Sequence, residues 1–371
     1  MKRKKILYLI TGLNLGGAEM VLNNLVSEID KDEFNIIVVS IRPIGIVGEK
    51  IKSRGIKVLE LEKWFKYNPI IILKFIYILL KEKPDILHTH LFHANLLGRI
   101  LGRICGVPVV ISTFHESFSI KGIRKELLKI TVNFSNLDIA VSKMLADEII
   151  RKKVSISPKV QIIHNSIDIE RINTSKRKGE LRKELKIPQD VTVLISIGRL
   201  AKEKGYNYLV EAIYYLKSRR RSDNIILFII GEGEERKRIE VKIKRLGLSK
   251  IVILLGEIED ISSYLHASDI FVTSSLHEGF SLATFEAVCA GLPVVSTKMG
   301  AVPEIIEDNK TGFLVGAGDS KALAEKIEYV LNLSKEERKK ITKGARKVVE
   351  EKFSVKKMAK NYESLYRELL K

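Results

Sequence analysis

The feature that most constrains this chain is an alternation. Short runs dense in Val, Ile and Leu recur between longer amphipathic stretches. Runs at 6–10, 34–41, 56–61, 85–88, 107–113 and 137–141 are almost uniformly apolar and are bounded by Gly, Pro, Asp or Asn. Such runs are the mark of strands buried on both faces, as in a parallel sheet covered by helices. Stretches at 18–29, 69–82 and 93–105 carry apolar residues at helical spacing. A strand–helix–strand succession predicts a mostly parallel, doubly wound sheet, because parallel neighbours need a long crossover. After a charged segment at 168–186 the pattern restarts, with runs at 191–197, 225–230, 251–254, 270–273 and 294–296. Helical stretches at 204–219, 234–246, 258–267 and 282–290 separate them. The expected class is therefore α/β, with two Rossmann-like parallel-sheet domains at 1–168 and 169–350. A closing helix at 351–371 puts Phe353, Met358, Tyr362, Leu365 and Leu369 on one stripe, so it is expected to pack back on the first domain.

Composition narrows the class further. The chain has 371 residues, 45% hydrophobic and 29% charged, with mean hydropathy +0.04. These values exclude an intrinsically disordered chain and a polytopic membrane protein. Cys105 and Cys289 stand apart, without a second Cys or a His nearby in sequence to form a disulfide framework or a zinc site, and they suit a reducing compartment. The run at 6–10 is too short for the core of a signal peptide, and that at 70–80 is about half a membrane span. A soluble or peripheral protein made in the cytoplasm is expected. Net charge is +19, which predicts attraction to polyanions or else reflects compositional drift. The first 165 residues carry 26 Lys and Arg against 15 Asp and Glu. The basic–apolar stretches at 63–80 and 122–129 suit an anionic membrane surface, although 69–82 also reads as an ordinary sheet-covering helix. No nucleic-acid recognition motif is present, and the positive charge is dispersed.

Doubly wound sheets bind ligands at the carboxyl ends of their strands, so the loops there carry the chemistry. The loop after the first strand, TGLNLGGAE from Thr11 to Glu19, lacks dinucleotide and Walker spacing. Gly16 and Gly17 at a helix start leave N–H groups that suit an anion, or form a plain tight turn. After the first strand of the second half comes GRLAKEKG, from Gly198 to Gly205. An Arg199 fork and the Lys204 charge suit a diphosphate, and a cation at a helix start is misplaced for stability alone. Later comes EGFSLATFE, from Glu278 to Glu286. Two carboxylates flanking an N–H-rich turn suit sugar hydroxyls and phosphate oxygens. His88, His90 and His93 suggest a polar acceptor-side pocket or ordinary loop histidines. Only seven His are present in the chain, too few, given their other contexts, to complete a metal-hydrolase ligand set.

In this order these motifs resemble the retaining, GT-B-fold glycosyltransferases of family 4, also called glycosyl transferases group 1. The Glu278 to Glu286 stretch matches the family's Glu-x7-Glu signature. Gly16 to Glu19, Gly198 to Gly205, Ile230 to Gly233 and Thr311 to Val315 stand in the family's order, so the resemblance spans essentially the whole chain. It implies two domains facing a central cleft and a nucleotide-sugar donor, with UDP-sugar preferred to GDP-mannose. The implied acceptor is lipid-linked or a polysaccharide, with no cofactor and no obligatory metal. By position, Arg199 and Lys204 would bind the diphosphate, and Gly16 and Gly17 would close on it from the other domain. Glu286 would bind the ribose, and Ile258 would line the base pocket. Glu278, with Gly279, Phe280, Ser281 and Leu282, would hold the transferring sugar. His115 matches the family's active-site His near that sugar. The alternatives are a GT-B nucleotide-sugar epimerase, whose family lacks Glu-x7-Glu, and a non-catalytic nucleotide-sugar-binding subunit.

Overall fold

The computed structural model describes residues 3–62, 70–116, 120–173, 178–219 and 224–371. The chain divides into two compact units, Met1–Ser166 with Phe353–Lys371, and Ile167–Lys352. The first unit is built on β1 (Lys4–Ile10), β2 (Phe34–Ser40), β3 (Lys57–Glu60), β4 (Ile86–His90), β5 (Val109–Phe114), β6 (Leu137–Ala140) and β7 (Val160–Ile162). All pair in parallel, in the order 3-2-1-4-5-6-7. The second unit has β8 (Thr192–Ile197), β9 (Ile225–Ile230), β10 (Val252–Gly256), β11 (Ile270–Thr273), β12 (Val294–Thr297) and β13 (Phe313–Val315). These are also parallel, in the order 10-9-8-11-12-13. Both sheets are doubly wound, and strand order reverses between β1 and β4 and between β8 and β11. The expected fold class is therefore observed.

Uniform apolarity translates directly into burial. Ile6 through Ile10 have no exposed surface, and β1 lies between β2 and β4 at the centre of its sheet. The edge strands β7 and β13 have three residues each, too short to carry a periodicity, and the sequence pattern missed them as strands. β4 runs on to His90, two residues past its expected end, so His90 is a strand residue like His88 rather than a loop residue.

The closing helix Val355–Leu369 belongs to the first unit. Ser354 caps it, its Oγ accepting from the Lys357 N–H. Met358, Tyr362, Leu365 and Tyr366 are buried. The Tyr366 hydroxyl lies 2.9 Å from that of Tyr8 in β1 and 2.7 Å from His88 Nδ1 in β4. One side chain thus ties the carboxyl-terminal helix to two central strands.

A buried ion pair fixes the other side of this sheet. Arg99, in the helix Phe92–Ile104, meets Asp138 of β6 at 2.8 Å, and both side chains are fully buried. Ser112 Oγ and the Leu128 carbonyl accept from Arg99, and Ser155 Oγ donates to Asp138 at 2.5 Å. A fully hydrogen-bonded pair roughly offsets its own desolvation, whereas either charge left alone does not. Arg99→Ala is therefore expected to destabilise the protein by about 3–5 kcal/mol, measured by denaturant unfolding. A loss under about 1 kcal/mol would show that Asp138 is reached by water.

Candidate active site

In the second unit the loops after β8 and β11 meet at the switch point. After β8 the chain makes a short 3₁₀ turn, Lys202–Lys204, before the helix Tyr206–Arg219. Gly205 between them has φ +63°, and a Cβ there would sit 2.2 Å from the Ser274 carbonyl oxygen, so only glycine fits. Ser274 Oγ donates to the Lys204 and Gly205 carbonyls, and the Leu276 and His277 N–H groups donate to the Glu203 carbonyl. The two loops are stitched into one surface.

That stitching brings Lys204 to Glu278. Lys204 Nζ lies 2.5 Å from Glu278 Oε1, and Ser275 Oγ donates to the same oxygen at 2.8 Å. Lys204 precedes the helix rather than opening it, and its charge answers to Glu278. The apparent mismatch with the helix dipole is thereby resolved. Arg199 is largely exposed and donates to Glu203, four residues on.

Beyond Glu278 and Gly279, Phe280 turns inward and stacks on Phe285 with ring centroids 4.1 Å apart. Ser281, the N-cap of the helix Leu282–Cys289, holds φ +70° and ψ +63°, and its Oγ pairs with Thr284 Oγ1 at 2.8 Å. A left-handed non-glycine residue costs about 1–2 kcal/mol, and such strain concentrates at functional sites. Here the buried Phe280–Phe285 stack holds it in place. Leu282 begins the helix, whose first-turn N–H groups have no intrahelical acceptor. Glu286 follows one turn later. Burial pushes its carboxyl pKa up; Arg171, 3.4 Å away, opposes this and Asp168 adds to it. Ile258, half-buried, lies just past β10. Arg199, Lys204, Ile258 and the Glu278–Glu286 segment thus all lie beyond the carboxyl ends of β8, β10 and β11.

In the first unit, Gly16 is the N-cap of the helix Gly17–Glu28. A Cβ on Gly16 would lie 2.2 Å from Glu19 Oε2, so the chain's own carboxylate folds over this helix start. That is the sign of charge the helix end favours, and burial pushes the Glu19 carboxyl pKa up.

The four histidines separate. His88 has no exposed surface. Its Nδ1 is engaged by Tyr366 and its Nε2 by Thr113 Oγ1 at 2.7 Å, and burial lowers its pKa to about 3. The expectation that His88 lines an acceptor pocket is corrected, because both nitrogens are spent inside the fold. His90 is buried, and its Nδ1 lies 2.9 Å from Nε2 of His115, just past β5. His93 is exposed on the first turn of its helix. Partial burial, then Arg124 and Arg42, push its pKa down. Among the described residues, four of the seven buried side-chain polar atoms without a partner lie at this same carboxyl edge, Thr11 Oγ1, Ser40 Oγ, His90 Nε2 and His115 Nδ1; the other three are Glu62 Oε1, Ser166 Oγ and Arg182 Nε. Also among the described residues, no group of three or more His, Cys, Asp or Glu is placed to hold a metal ion.

Sequence reasoning missed Glu203, Ser275, Arg171 and Tyr366. Glu203 stands four residues after Arg199 and Tyr366 four after Tyr362, spacings that were legible. Arg171 reaches Glu286 across 115 residues, and no local pattern marks it.

Two doubly wound parallel-sheet units with their functional loops at the carboxyl edges define the GT-B class. Residues 15–171 match the profile of Glycosyltransferase Family 4, and residues 177–348 that of Glycosyl transferases group 1. The UDP-Gal:alpha-D-GlcNAc-diphosphoundecaprenol alpha-1,3-galactosyltransferase of Escherichia coli is 30% identical over 311 residues, covering 79% of this chain and 78% of that one. The capsular polysaccharide biosynthesis glycosyltransferase CapM of Staphylococcus aureus is also 30% identical over 311 residues, 81% of each chain. Anabaena HepE, solved with UDP and glucose, superposes with TM-score 0.86 at 22% identity, over 99% of this chain and 100% of that one. The chain belongs to glycosyltransferase family 4, and it is an enzyme that transfers a glycosyl group.

Gly205→Ala is expected to destabilise the protein by more than about 1 kcal/mol, because a Cβ there would meet the Ser274 carbonyl oxygen and force the two loops apart. Denaturant unfolding of the variant checks this. An unchanged stability would show that the contact between the two loops yields without cost.

Proposed function

We propose that the protein moves a sugar, with retention, from a UDP-sugar to a hydroxyl of a lipid-linked or polysaccharide acceptor in cell-surface glycan synthesis. The observation that carries this is the convergence of Arg199, Lys204, Glu278 and Glu286 at the carboxyl edge of one sheet. Arg199 and Lys204 are the cations for the donor diphosphate. Glu286 accepts from the ribose hydroxyls, and Ile258 packs on the base. Glu278 and the N–H groups of Gly279, Phe280, Ser281 and Leu282 hold the sugar. In the first unit, His115 meets a sugar hydroxyl, and the Gly16–Gly17 helix start receives an anionic or hydroxyl group in exchange for Glu19. Two relatives support the choice of donor and acceptor: the Escherichia coli enzyme is named for UDP-Gal and a diphosphoundecaprenol acceptor, and HepE is solved with UDP and glucose.

As the bond from the anomeric carbon to the phosphate oxygen breaks, its electron pair goes to that oxygen, and positive charge builds on the carbon. Arg199 and Lys204 stabilise the growing negative charge, the largest kind of contribution an enzyme makes, without an obligatory metal. Glu278 is held by Lys204 and Ser275, which makes it a hydroxyl acceptor rather than a nucleophile. The acceptor oxygen attacks from the face the phosphate leaves, and its proton passes to the departing phosphate.

The membrane is the second partner in this proposal. The helix Ile70–Glu82 exposes Ile70, Leu73, Tyr77 and Leu80, and the helix Ile123–Ile130 exposes Ile123 and Ile130 beside Arg124 and Lys129. Lys81 lies 5.5 Å over the Tyr77 ring. Such surfaces rest on anionic lipid, at the inner face of the plasma membrane. The aromatic stretch at 63–67 lies outside the described residues. No helix among the described residues is long and apolar enough to cross a membrane.

Lys204→Ala and Glu278→Ala are each expected to lower transfer on the order of a hundredfold or more with the fold intact. Stabilisation in a thermal-shift panel of UDP-, GDP- and ADP-sugars should be greatest with a UDP-sugar. Full activity in both variants, or a sugar trapped on Glu278 in mass spectrometry, would overturn the assignment. The protein should sediment with anionic vesicles at low salt and be released at high salt. No binding at low salt would remove the membrane from the proposal.

A further inference from the structure

The place of His90 in the fold gives it a task other than lining a pocket. We propose that His90 is a positioning residue for His115, fixing the ring and the tautomer through which His115 accepts a sugar hydroxyl. The proposal rests on the assignment of His115 to the sugar.

Four rings run from the closing helix to the edge of the first sheet. Tyr366 donates to or accepts from His88 Nδ1, and Thr113 Oγ1 engages the other His88 nitrogen. His88 is therefore unable to turn. The His90 ring lies 4.4 Å from that of His88, and the His115 ring stacks on His90 at 5.3 Å with 30° between planes. His90 is held by the strand as well, in register with Ile10 of β1 and Thr113 of β5. The final link is the hydrogen bond between His90 Nδ1 and His115 Nε2 at 2.9 Å. His90 Nε2 and His115 Nδ1 are both buried and without a partner.

This geometry couples the two tautomers. A neutral imidazole carries one N–H, and the inner hydrogen bond uses one nitrogen of each ring. If His115 donates its Nε2–H to His90 Nδ1, then His115 Nδ1 holds a lone pair and His90 Nε2 carries the hydrogen. The reverse assignment swaps both. The first arrangement puts both rings in the Nε2–H form, the more stable tautomer of a histidine side chain. It leaves His115 Nδ1 as an acceptor, which is what a sugar hydroxyl needs. The pair stays neutral because burial pushes His115 down to about 4 and His90 well below its usual value, with His88 and His115 adding to the effect on His90. Among the described residues, Tyr8 also faces the pair, its ring 6.0 Å from His90, and burial keeps it neutral by pushing its pKa up.

Imidazole ¹⁵N NMR of the full-length protein at neutral pH, without substrate, reads the tautomer directly. His115 is expected in the Nε2–H form. His90→Phe keeps the ring volume and removes the acceptor. It should leave His115 averaging between tautomers and lower kcat for UDP release from UDP-glucose or UDP-galactose roughly tenfold to a hundredfold, with KM for the donor within about twofold. His90→Asn restores an acceptor at the Nδ1 position and should recover most of the loss. His115→Ala should lose as much, and His90→Phe in that background should lose no more. A folded His90→Phe variant with unchanged tautomer and kcat would overturn the proposal and leave His115 in place. Should His90→Phe fail to fold, an Nδ1–H form of His115 in the wild-type protein overturns it on its own. Full transfer by His115→Ala would instead remove His115 from the reaction, an outcome the wild-type tautomer does not affect.

Discussion

Everything in this protein follows from strands that run parallel and are buried on both faces. A parallel strand needs a crossover before the next begins, and the crossover helices cover the sheet. Every strand then ends at the same edge. Residues far apart in sequence, such as Lys204 and Glu278, are delivered to that edge by strands that are spatial neighbours. The order of the second sheet, with β8 beside β11, is what makes their contact. A different winding of the same strands would separate them.

The candidate site is balanced electrostatically in the chain by itself. In the second unit Arg199 is matched by Glu203, Lys204 by Glu278 and Glu286 by Arg171. On the proposed function, a ligand bearing phosphates and hydroxyls would exchange these partners rather than meet bare charges. The existing pairs hold the groups oriented beforehand, which would lower the cost of ordering them on binding. Glu286 shows the limit of the arrangement: it is buried enough that its carboxyl pKa rises despite Arg171. Very little of the net charge of +19 is engaged here; much of it is spread over exposed helices.

The first unit handles polarity differently. Arg99 and Asp138 satisfy each other completely inside the fold, as do His88, Tyr366 and Thr113. His90 and His115 satisfy each other only on their inner nitrogens. Buried polar groups left unpartnered are rare in folded proteins and each calls for an explanation. The outer nitrogens of His90 and His115 are two of the seven such atoms among the described residues, whereas His88 has none.

The sequence by itself determined the layers, the doubly wound class and the loops that carry charge, because burial on both faces and motif spacing are local properties. Arg199, Lys204, Glu278 and Glu286 were legible as a set for the same reason. Tertiary structure alone decided which of three nearby histidines was architecture. His88 and His90 are two residues apart and face the same side of one strand, yet the first is capped by a tyrosine from the far end of the chain and the second reaches His115 on the neighbouring strand. It also decided that Arg171 supports Glu286 and that Lys204 balances Glu278. Each of these depends on strand order and on where a distant helix docks, and neither is written in the spacing of neighbouring residues.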